Sequence, residues 1–346
     1  MAMNDAKPKD ESKETNPAEH LRKLNADIAL EKMLLDQLRT EVGKAVIGQS
    51  DMIDSLLIAL LTEGHVLLEG MPGLAKTMAV RSLSQTMNLD FGRIQFTPDL
   101  LPADVTGTMI YQQKSDTFTV RKGPIFSSFL LADEINRAPA KVQSALLEAM
   151  QEGQVTIGDE TFQLPEPFLV MATQNPIEQE GTYTLPEAQK DRFLLKVKVA
   201  YPSALEEQEI IKSQIQPQPT TKLQKILSKK DVLRLKSLVK EVYLDEKVEK
   251  YIVDIIHQTR EPNIKALEPL KPYLLFGASP RGSIGLARAA KARAFMEGRS
   301  FVIPDDVKMM AVPVLNHRIG LSYEAEMDHV SAQDIIEKVI QYVEVP

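Results

Sequence analysis

Residues 70–77 combine the side chains and backbone pattern that bind phosphate groups. They follow a short apolar run at 65–69 and lead into a helix-compatible segment that starts at Met78. The residues of this loop are Gly70, Met71, Pro72, Gly73, Leu74, Ala75, Lys76 and Thr77. A glycine-bearing loop between a strand and a helix points successive backbone N–H groups at one place, with the helix N-terminus behind them. Lys76 would then reach the outer phosphates of a nucleotide, and the Thr77 hydroxyl would hold Mg²⁺. The alternative is a Gly-Pro turn between a buried strand and a helix.

The loop departs from the usual pattern at Ala75, where a glycine normally precedes the lysine. If this position requires a positive φ angle, alanine costs roughly 1 kcal/mol of backbone strain. If the position already has helical angles, the replacement is nearly free.

A second segment ends in two carboxylates. The apolar run that starts at Phe129 is typical of a parallel strand covered on both faces, and it ends at Asp133 and Glu134. Open α/β sheets bind ligands at the carboxyl ends of their strands. We expect Asp133 to hold Mg²⁺ through the water shell of the ion, and Glu134 to orient the attacking water or accept its proton. The alternative is a solvated strand end.

A third apolar run, at 168–173, is followed closely by Asn175. An amide at this edge of the sheet can hydrogen-bond both a γ-phosphate and the attacking water. The alternative is an ordinary turn asparagine before a proline.

Two arginines could balance the charge of a triphosphate. Arg192 follows a short helix-like segment, and Arg281 lies in the first turn of a helix predicted from the Ser279 cap and Pro280 to about Glu297. A cation is unfavourable at a helix N-terminus, so a nearby anion would explain Arg281. The alternative for both arginines is an ordinary surface position.

Together these segments resemble the MoxR group of the AAA+ ATPases, in the helix-2-insert branch. The resemblance covers about residues 30–346 and is carried by 70–77, 130–145, 172–176 and 279–282. MoxR proteins commonly have alanine at the position of Ala75. The resemblance implies ATP and Mg²⁺ as ligands, Asn175 as the sensor-1 residue, Arg281 as sensor 2, and Arg192 as an arginine finger acting on a neighbour's nucleotide. The residues expected to contact adenine are Val46, Ile47, Gly48 and Gln49.

The same resemblance implies the fold class and the partners. We expect an α/β P-loop AAA+ core, with a parallel sheet flanked by helices, followed by a small all-α lid that places Arg281 over the nucleotide of its own subunit. The expected assembly is a homo-oligomeric ring, normally a hexamer, that remodels or matures protein complexes, with partners that carry von Willebrand factor A domains. Three alternatives remain open: a nucleotide-gated scaffold with little hydrolysis, a metal-chelatase-like motor subunit and a nucleic-acid motor.

Composition limits these choices. The chain has 346 residues, 43% of them hydrophobic, which is enough for two cores. A net charge of −7 does not favour tight binding to nucleic acid. The absence of cysteine excludes disulfides and thiolate metal sites and fits a cytoplasmic protein. We find neither an apolar run of about 18 residues that could span a membrane nor a signal peptide.

The chain divides into four predicted parts. Residues 1–15 are predicted to be a disordered polar tail, and 16–44 an amphipathic helix that packs on the next domain, with a coiled coil as the alternative. Residues 45–202 form the core, where apolar runs near 65, 92, 128, 168 and 194 predict five parallel strands. Residues 203–346 form the helical lid.

Two β-hairpin insertions are predicted within the core. Alternating segments at 109–112 and 117–120 flank one turn, and those at 154–157 and 161–164 flank another that starts at Gly158. In the family such hairpins face the central pore or the substrate. The alternative is that both only decorate the surface.

Overall fold

The computed structural model describes residues 17–175, 182–215 and 222–346. The predicted disorder of residues 1–15 therefore lies outside the described residues. The elements up to residue 198 are α1 Pro17–Gly43, α2 Ser50–Leu61, β1 Val66–Glu69, α3 Lys76–Thr86, β2 Phe91–Gln95, α4 Pro102–Thr106, β3 Gly107–Gln112, β4 Thr117–Lys122, β5 Phe129–Asp133, α5 Ala140–Glu152, β6 Gln154–Ile157, β7 Glu160–Gln163, β8 Leu169–Gln174, α6 Glu187–Lys190 and β9 Leu195–Lys198.

The central sheet confirms the five predicted parallel strands. Its order is β2-β5-β8-β1-β9, and every pairing within it is parallel. Residues 129–132 of β5 and 169–173 of β8 are buried, as the continuous apolar runs indicated. The carboxyl ends of all these strands therefore meet at one edge, where the candidate site lies.

The sheet separates two hydrophobic clusters because successive side chains on a strand point to opposite faces. On β5, Phe129 and Leu131 join the larger cluster, while Leu130 and Ala132 join the smaller one. The larger cluster continues into the helical part of the chain. This shared core ties the sheet to the helices that follow it.

Both predicted hairpins are present. Strands β3 and β4 pair over six residue positions, and β6 pairs with β7 over four. Gly107, at the start of β3, has a φ of +109°, and a Cβ added there would lie 2.4 Å from the Arg121 carbonyl oxygen. Only glycine fits this position, so it fixes where the first hairpin leaves the core.

The remaining elements are α7 Ala204–Ile215, α8 Lys229–Glu241, α9 Glu246–Arg260, β10 Leu274–Phe276, α10 Pro280–Met296, α11 Pro304–Leu315, β11 Gly320–Leu321, α12 Tyr323–Met327 and α13 Ala332–Tyr342. This part is helical, as expected, except for the antiparallel pair of β10 and β11, which the sequence patterns did not predict. Helix α10 begins with the predicted cap, since the Ser279 side chain accepts a hydrogen bond from the Arg281 N–H.

Helix α1 packs against both parts of the chain and contacts α2, α3, α8 and α10. Its buried stripe includes Leu24, Ile28, Leu35, Leu38 and Val42. Glu31 interrupts that stripe but is also buried, 3.1 Å from the Arg234 guanidinium. The ion pair explains how a carboxylate fits in an apolar face.

Candidate active site at the carboxyl edge of the sheet

The predicted phosphate loop borders a cavity of about 570 Å³. Residues 72–78 line one side of it, and Asp133, Glu134 and Asn175 line the other. Gly70 lies behind the loop, where its carbonyl oxygen accepts a hydrogen bond of 2.7 Å from Lys76 Nζ. Met71 packs against the larger hydrophobic cluster. The structure therefore brings together the residues that the sequence assigned to phosphate, metal and water.

Two non-glycine residues at this site have left-handed backbone angles. Ala75 has a φ of 54° and a ψ of 17°, and Glu134 has a φ of 56° and a ψ of 50°. The first of the two possibilities for Ala75 is therefore correct: alanine occupies a position that favours glycine. At Glu134 the same conformation turns the chain sharply just after β5, so that consecutive carboxylates both line the cavity.

Lys76 is half-buried beside the two acids. Burial lowers its pKa from the usual value, while the negative charges of Asp133 and Glu134 raise it. The ammonium group is therefore a partly desolvated cation placed next to carboxylates. Partial burial strengthens its attraction for a phosphate, because fewer water molecules compete for it than at an exposed site.

Thr173, at the penultimate position of β8, connects the two acids. Its hydroxyl donates to Asp133 Oδ1 at 2.6 Å and accepts from the Glu134 N–H at 2.8 Å. The side chain is 1% exposed. One buried hydroxyl therefore orients the Asp133 carboxylate and satisfies the strained backbone of Glu134.

Strand β2 supplies side chains that the sequence analysis missed. Arg93 Nη2 donates to Asp133 Oδ2 at 2.7 Å, and Gln95 Nε2 donates to Glu134 Oε2 at 2.8 Å. Arg137 also contacts Glu134 Oε2, at 3.0 Å. The signal for Arg93 and Gln95 was their spacing of two, which places them on one face of a strand. This spacing indicates a contact with the acids only when β2 is known to pair with β5, and the sequence did not reveal that pairing.

The donor set fits a magnesium–nucleotide complex. The Thr77 hydroxyl and the Asp133 carboxylate offer oxygen ligands, which Mg²⁺ prefers, and Mg²⁺ usually takes few protein ligands alongside phosphate oxygens. Lys76 offers the complementary positive charge. Both Asp133 oxygens already accept hydrogen bonds, from Thr173 and Arg93. A metal at Asp133 would therefore compete with the Arg93 guanidinium.

The segment expected to contact adenine lines a different cavity, of about 520 Å³. Val46, Ile47, Gly48 and Gln49 form one wall, and Glu206 and Glu297 are among the residues opposite. The Gln49 side-chain amide donates to the Ala200 carbonyl at 3.3 Å. The structure thus places this segment next to the start of α7 and the end of α10.

Arg192 and Arg281 lie together in a third cavity, of about 230 Å³, with Arg288, Arg318 and Asp191. Arg192 Nη1 donates to the Leu147 carbonyl at 2.9 Å, and Arg281 Nη1 lies 3.9 Å from Asp191 Oδ2. Neither Arg192 nor Arg281 lines the phosphate-loop cavity. The structure thus places Arg281 beside Arg192, whereas the sequence predicted it over the nucleotide of its own subunit, because the packing of the lid carries the start of α10 to the Arg192 side.

Among the described residues, we find no helix with the length and apolar character needed to cross a membrane.

Comparisons with known proteins agree with this geometry. Residues 65–195 match the family model described as "ATPase family associated with various cellular activities (AAA)", and residues 270–339 match the AAA lid domain. The chain is 48% identical over 319 residues to "Chaperone MoxR1" of Mycobacterium tuberculosis, covering 92% of this chain and 84% of that protein. It is 34% identical over 293 residues to "Protein MoxR" of Paracoccus denitrificans, covering 80% of this chain and 86% of the relative.

A crystal structure of a protein from Cytophaga hutchinsonii is also similar. It superimposes with a TM-score of 0.87 at 51% sequence identity, covering 94% of this chain and 99% of the other. The phosphate loop, the paired acids and the helical lid thus occur in a chain with close relatives along nearly its full length. This chain belongs to the MoxR family of AAA ATPases.

Proposed function

We propose that this protein is an ATP-hydrolysing motor that works as a homo-oligomeric ring and acts as a chaperone on protein complexes. The observation that carries the proposal is the convergence of Lys76, Thr77, Asp133, Glu134 and Asn175 on one cavity. Together these side chains can bind a triphosphate and position a water molecule for attack on it.

Each group has a separate role. Lys76 binds the outer phosphates, and Asn175 holds the γ-phosphate and the attacking water. Glu134 accepts the proton of that water or orients it. Thr77 and Asp133 hold Mg²⁺, which when bound supplies positive charge to the phosphate oxygens.

Arg192 and Arg281 act on the nucleotide of the neighbouring subunit. Their shared cavity, outside the phosphate-loop cavity, supports this assignment, and so does the 52% exposure of the Arg281 side chain. An arginine supplied in this way accelerates phosphoryl transfer by about 10³- to 10⁵-fold in other systems. The isolated subunit should therefore hydrolyse ATP very slowly.

The ring, normally a hexamer in this family, is cytoplasmic in this proposal. The Mycobacterium relative is named as a chaperone, which supports the chaperone class. Partners with von Willebrand factor A domains follow from the family resemblance. The two hairpins would face the substrate, where exposed Tyr111 and Phe118 of the first hairpin offer apolar contacts.

Glu134→Gln is the variant that tests the hydrolytic role. It should abolish turnover and retain ATP binding, because the amide keeps the shape of the side chain and loses the base. Glu148→Gln, a change at an exposed position on α5, is the matched control and should keep wild-type turnover. If Glu134→Gln hydrolyses ATP at the normal rate, the assigned role is wrong.

Dependence on assembly tests the ring. Turnover per subunit should rise as protein concentration passes through the range in which subunits associate. A rate per subunit that stays constant across that range would refute the contribution of Arg192 from a neighbour.

A nucleotide-gated scaffold is the second candidate, favoured by one observation. Gln95 and Arg137 both donate hydrogen bonds to Glu134 Oε2, so this oxygen already has partners and is not free to act on a water molecule. A scaffold of this kind would bind ATP and assemble, yet hydrolyse very little even at full assembly. The same concentration series therefore separates the two candidates.

A further inference from the structure

The backbone around Arg192 is held by a side chain of the helical lid. Arg318 is 6% exposed, and its Nε donates to Asp191 Oδ1 at 2.7 Å. Its Nη2 donates to the Phe193 carbonyl at 2.6 Å, and its Nη1 to the Leu194 carbonyl at 3.0 Å. One guanidinium thus contacts residues on both sides of Arg192.

The neighbouring lid residue makes a similar contact. His317 Nε2 lies 2.9 Å from the Phe193 carbonyl oxygen, which can only accept, so Nε2 carries the proton. Burial and the adjacent Arg318 charge hold the pKa of His317 well below its usual value, so the ring is neutral. Two consecutive lid side chains, His317 and Arg318, therefore hold the segment that carries Arg192 by hydrogen bonds to its backbone.

Asp191 connects these hydrogen bonds to helix α10. Its Oδ2 accepts a hydrogen bond of 3.1 Å from the Ser279 hydroxyl, which caps α10, and lies 3.9 Å from Arg281 Nη1. Asp191 therefore contacts the lid at two places, Arg318 and the start of α10, while its own main chain continues directly into Arg192.

Helix α10 also reaches the cavity at the expected adenine-binding segment. The helix has 17 residues and a length of about 25 Å. Asp191 lies at its N-terminal end, and Glu297, its C-cap, lines the cavity formed by residues 46–49. A rigid displacement of α10 at one cavity would therefore move the groups at the other.

We propose that Asp191 is a positioning residue that fixes Arg192 to the lid through Arg318 and Ser279. The orientation of the lid in each subunit then determines the position of Arg192 relative to the neighbour's ATP. This inference rests on the proposed function, in which Arg192 acts on a neighbouring subunit. Asp191 does not line the phosphate-loop cavity, and yet in this proposal it affects the rate of hydrolysis.

A purely structural role is the competing explanation, because a buried arginine such as Arg318 needs a counter-ion in any case. A double-mutant cycle separates the two explanations. Asp191→Asn, Arg192→Ala and the double variant would be compared with the wild-type full chain under assembly conditions. For each protein, kcat, the dissociation constant for ATP, and the thermal midpoint would be measured.

If Asp191 acts through Arg192, Asp191→Asn lowers kcat by up to about 10²-fold, the size of effect that misplacing a catalytic group produces. The same change in the Arg192→Ala background lowers kcat no further. ATP affinity stays near the wild-type value in all these proteins. Asp306→Asn is the matched control: Asp306 is also paired with a lid arginine, Arg299, at 2.6 Å, and this variant should lose thermal stability but keep kcat per folded subunit.

The outcomes are distinguishable. If Asp191→Asn keeps wild-type kcat while Arg192→Ala loses it, the positioning role is wrong and the proposed function stands. If the two losses multiply in the double variant, or if ATP affinity falls together with kcat, Asp191 is structural and the inference is overturned. If Arg192→Ala itself keeps wild-type turnover, the proposed contribution from a neighbour fails, and this inference fails with it.

Discussion

The Thr173 hydroxyl donates a hydrogen bond of 2.6 Å to Asp133 and accepts one of 2.8 Å from the Glu134 N–H. It is the link between the expected metal ligand and the expected catalytic glutamate. Because Glu134 has left-handed backbone angles, its N–H depends on this side-chain acceptor rather than on a sheet partner.

Thr173→Val tests this link. Valine keeps the shape of threonine but removes the hydroxyl, which leaves the part-buried Glu134 N–H without this acceptor and releases the Asp133 carboxylate. We expect a loss of about 1–3 kcal/mol in unfolding free energy and a clear fall in kcat. Urea denaturation and steady-state turnover measure these effects. Thr173→Ser, which restores the hydroxyl, should recover most of both, and failure of that recovery would contradict the assigned role.

Ala75→Gly should stabilise the protein. Alanine at a φ of 54° carries strain of about 1–2 kcal/mol, and glycine removes it. Glycine also gains freedom in the unfolded chain, so the net gain should be below about 1 kcal/mol. The control is Ala79→Gly, inside α3, where glycine should instead destabilise by about 1 kcal/mol. Chemical denaturation of both variants compares them, and an equal loss at the two positions would disprove strain at Ala75.

Arg93→Gln should tighten metal-dependent nucleotide binding. The Arg93 guanidinium contacts Asp133 at 2.7 Å and is 49% exposed, so the ion pair is worth at most about 1 kcal/mol. Its removal should lower the Mg²⁺ concentration for half-maximal binding of a fluorescent ATP analogue by up to about fivefold. Arg81→Gln, which removes a charge elsewhere in the same cavity, is the control. A weaker Mg²⁺ response in Arg93→Gln alone would show that Arg93 supports the site instead of competing for Asp133.

We expect the protein to become less stable as the pH falls, because His65 is buried. The buried ring accepts a hydrogen bond from the Val170 N–H and contacts the Met150 carbonyl, and burial lowers its pKa from 6.5 to about 4. Between these pH values the unfolded chain binds a proton that the folded chain excludes. The contribution of neutral His65 to stability is therefore fully present above about pH 6.5. As the pH falls toward 4, the free energy of unfolding decreases by about 3 kcal/mol.

Denaturation midpoints measured from pH 8 to pH 4 would check this prediction. His65→Gln should reduce the pH dependence, leaving the part that the buried neutral His317 contributes, at the cost of lower stability at neutral pH. His257→Gln, at an exposed position on α9, should leave it unchanged. An unchanged slope in His65→Gln would contradict the assignment.

Local sequence patterns were enough to predict much of the site. The phosphate loop, the acids after β5 and Asn175 after β8 each follow an apolar run directly, so neighbouring residues alone place them at the carboxyl edge of a sheet. The cap of α10 and both hairpins also depend on short-range patterns, and the structure contains all three.

The remaining groups depend on contacts between distant segments. Arg93 reaches Asp133 only because β2 lies beside β5, and Arg318 reaches Asp191 across 127 residues of sequence. No pattern near Arg93 or Arg318 reveals these partners. The observed position of Arg281 beside Arg192 likewise depends on how the lid packs against the core, which short-range patterns do not reveal.

Mixing inactive variants tests the central claim most directly. Lys76→Ala removes the phosphate-binding cation but leaves Arg192 intact, and Arg192→Ala does the reverse. Each protein alone should hydrolyse ATP very slowly, and a mixture of the two should recover part of the wild-type rate, because a Lys76→Ala subunit can supply Arg192 to the intact cavity of its neighbour. A mixture that co-assembles, shown by co-elution, and remains as inactive as its components would contradict an active site shared between subunits.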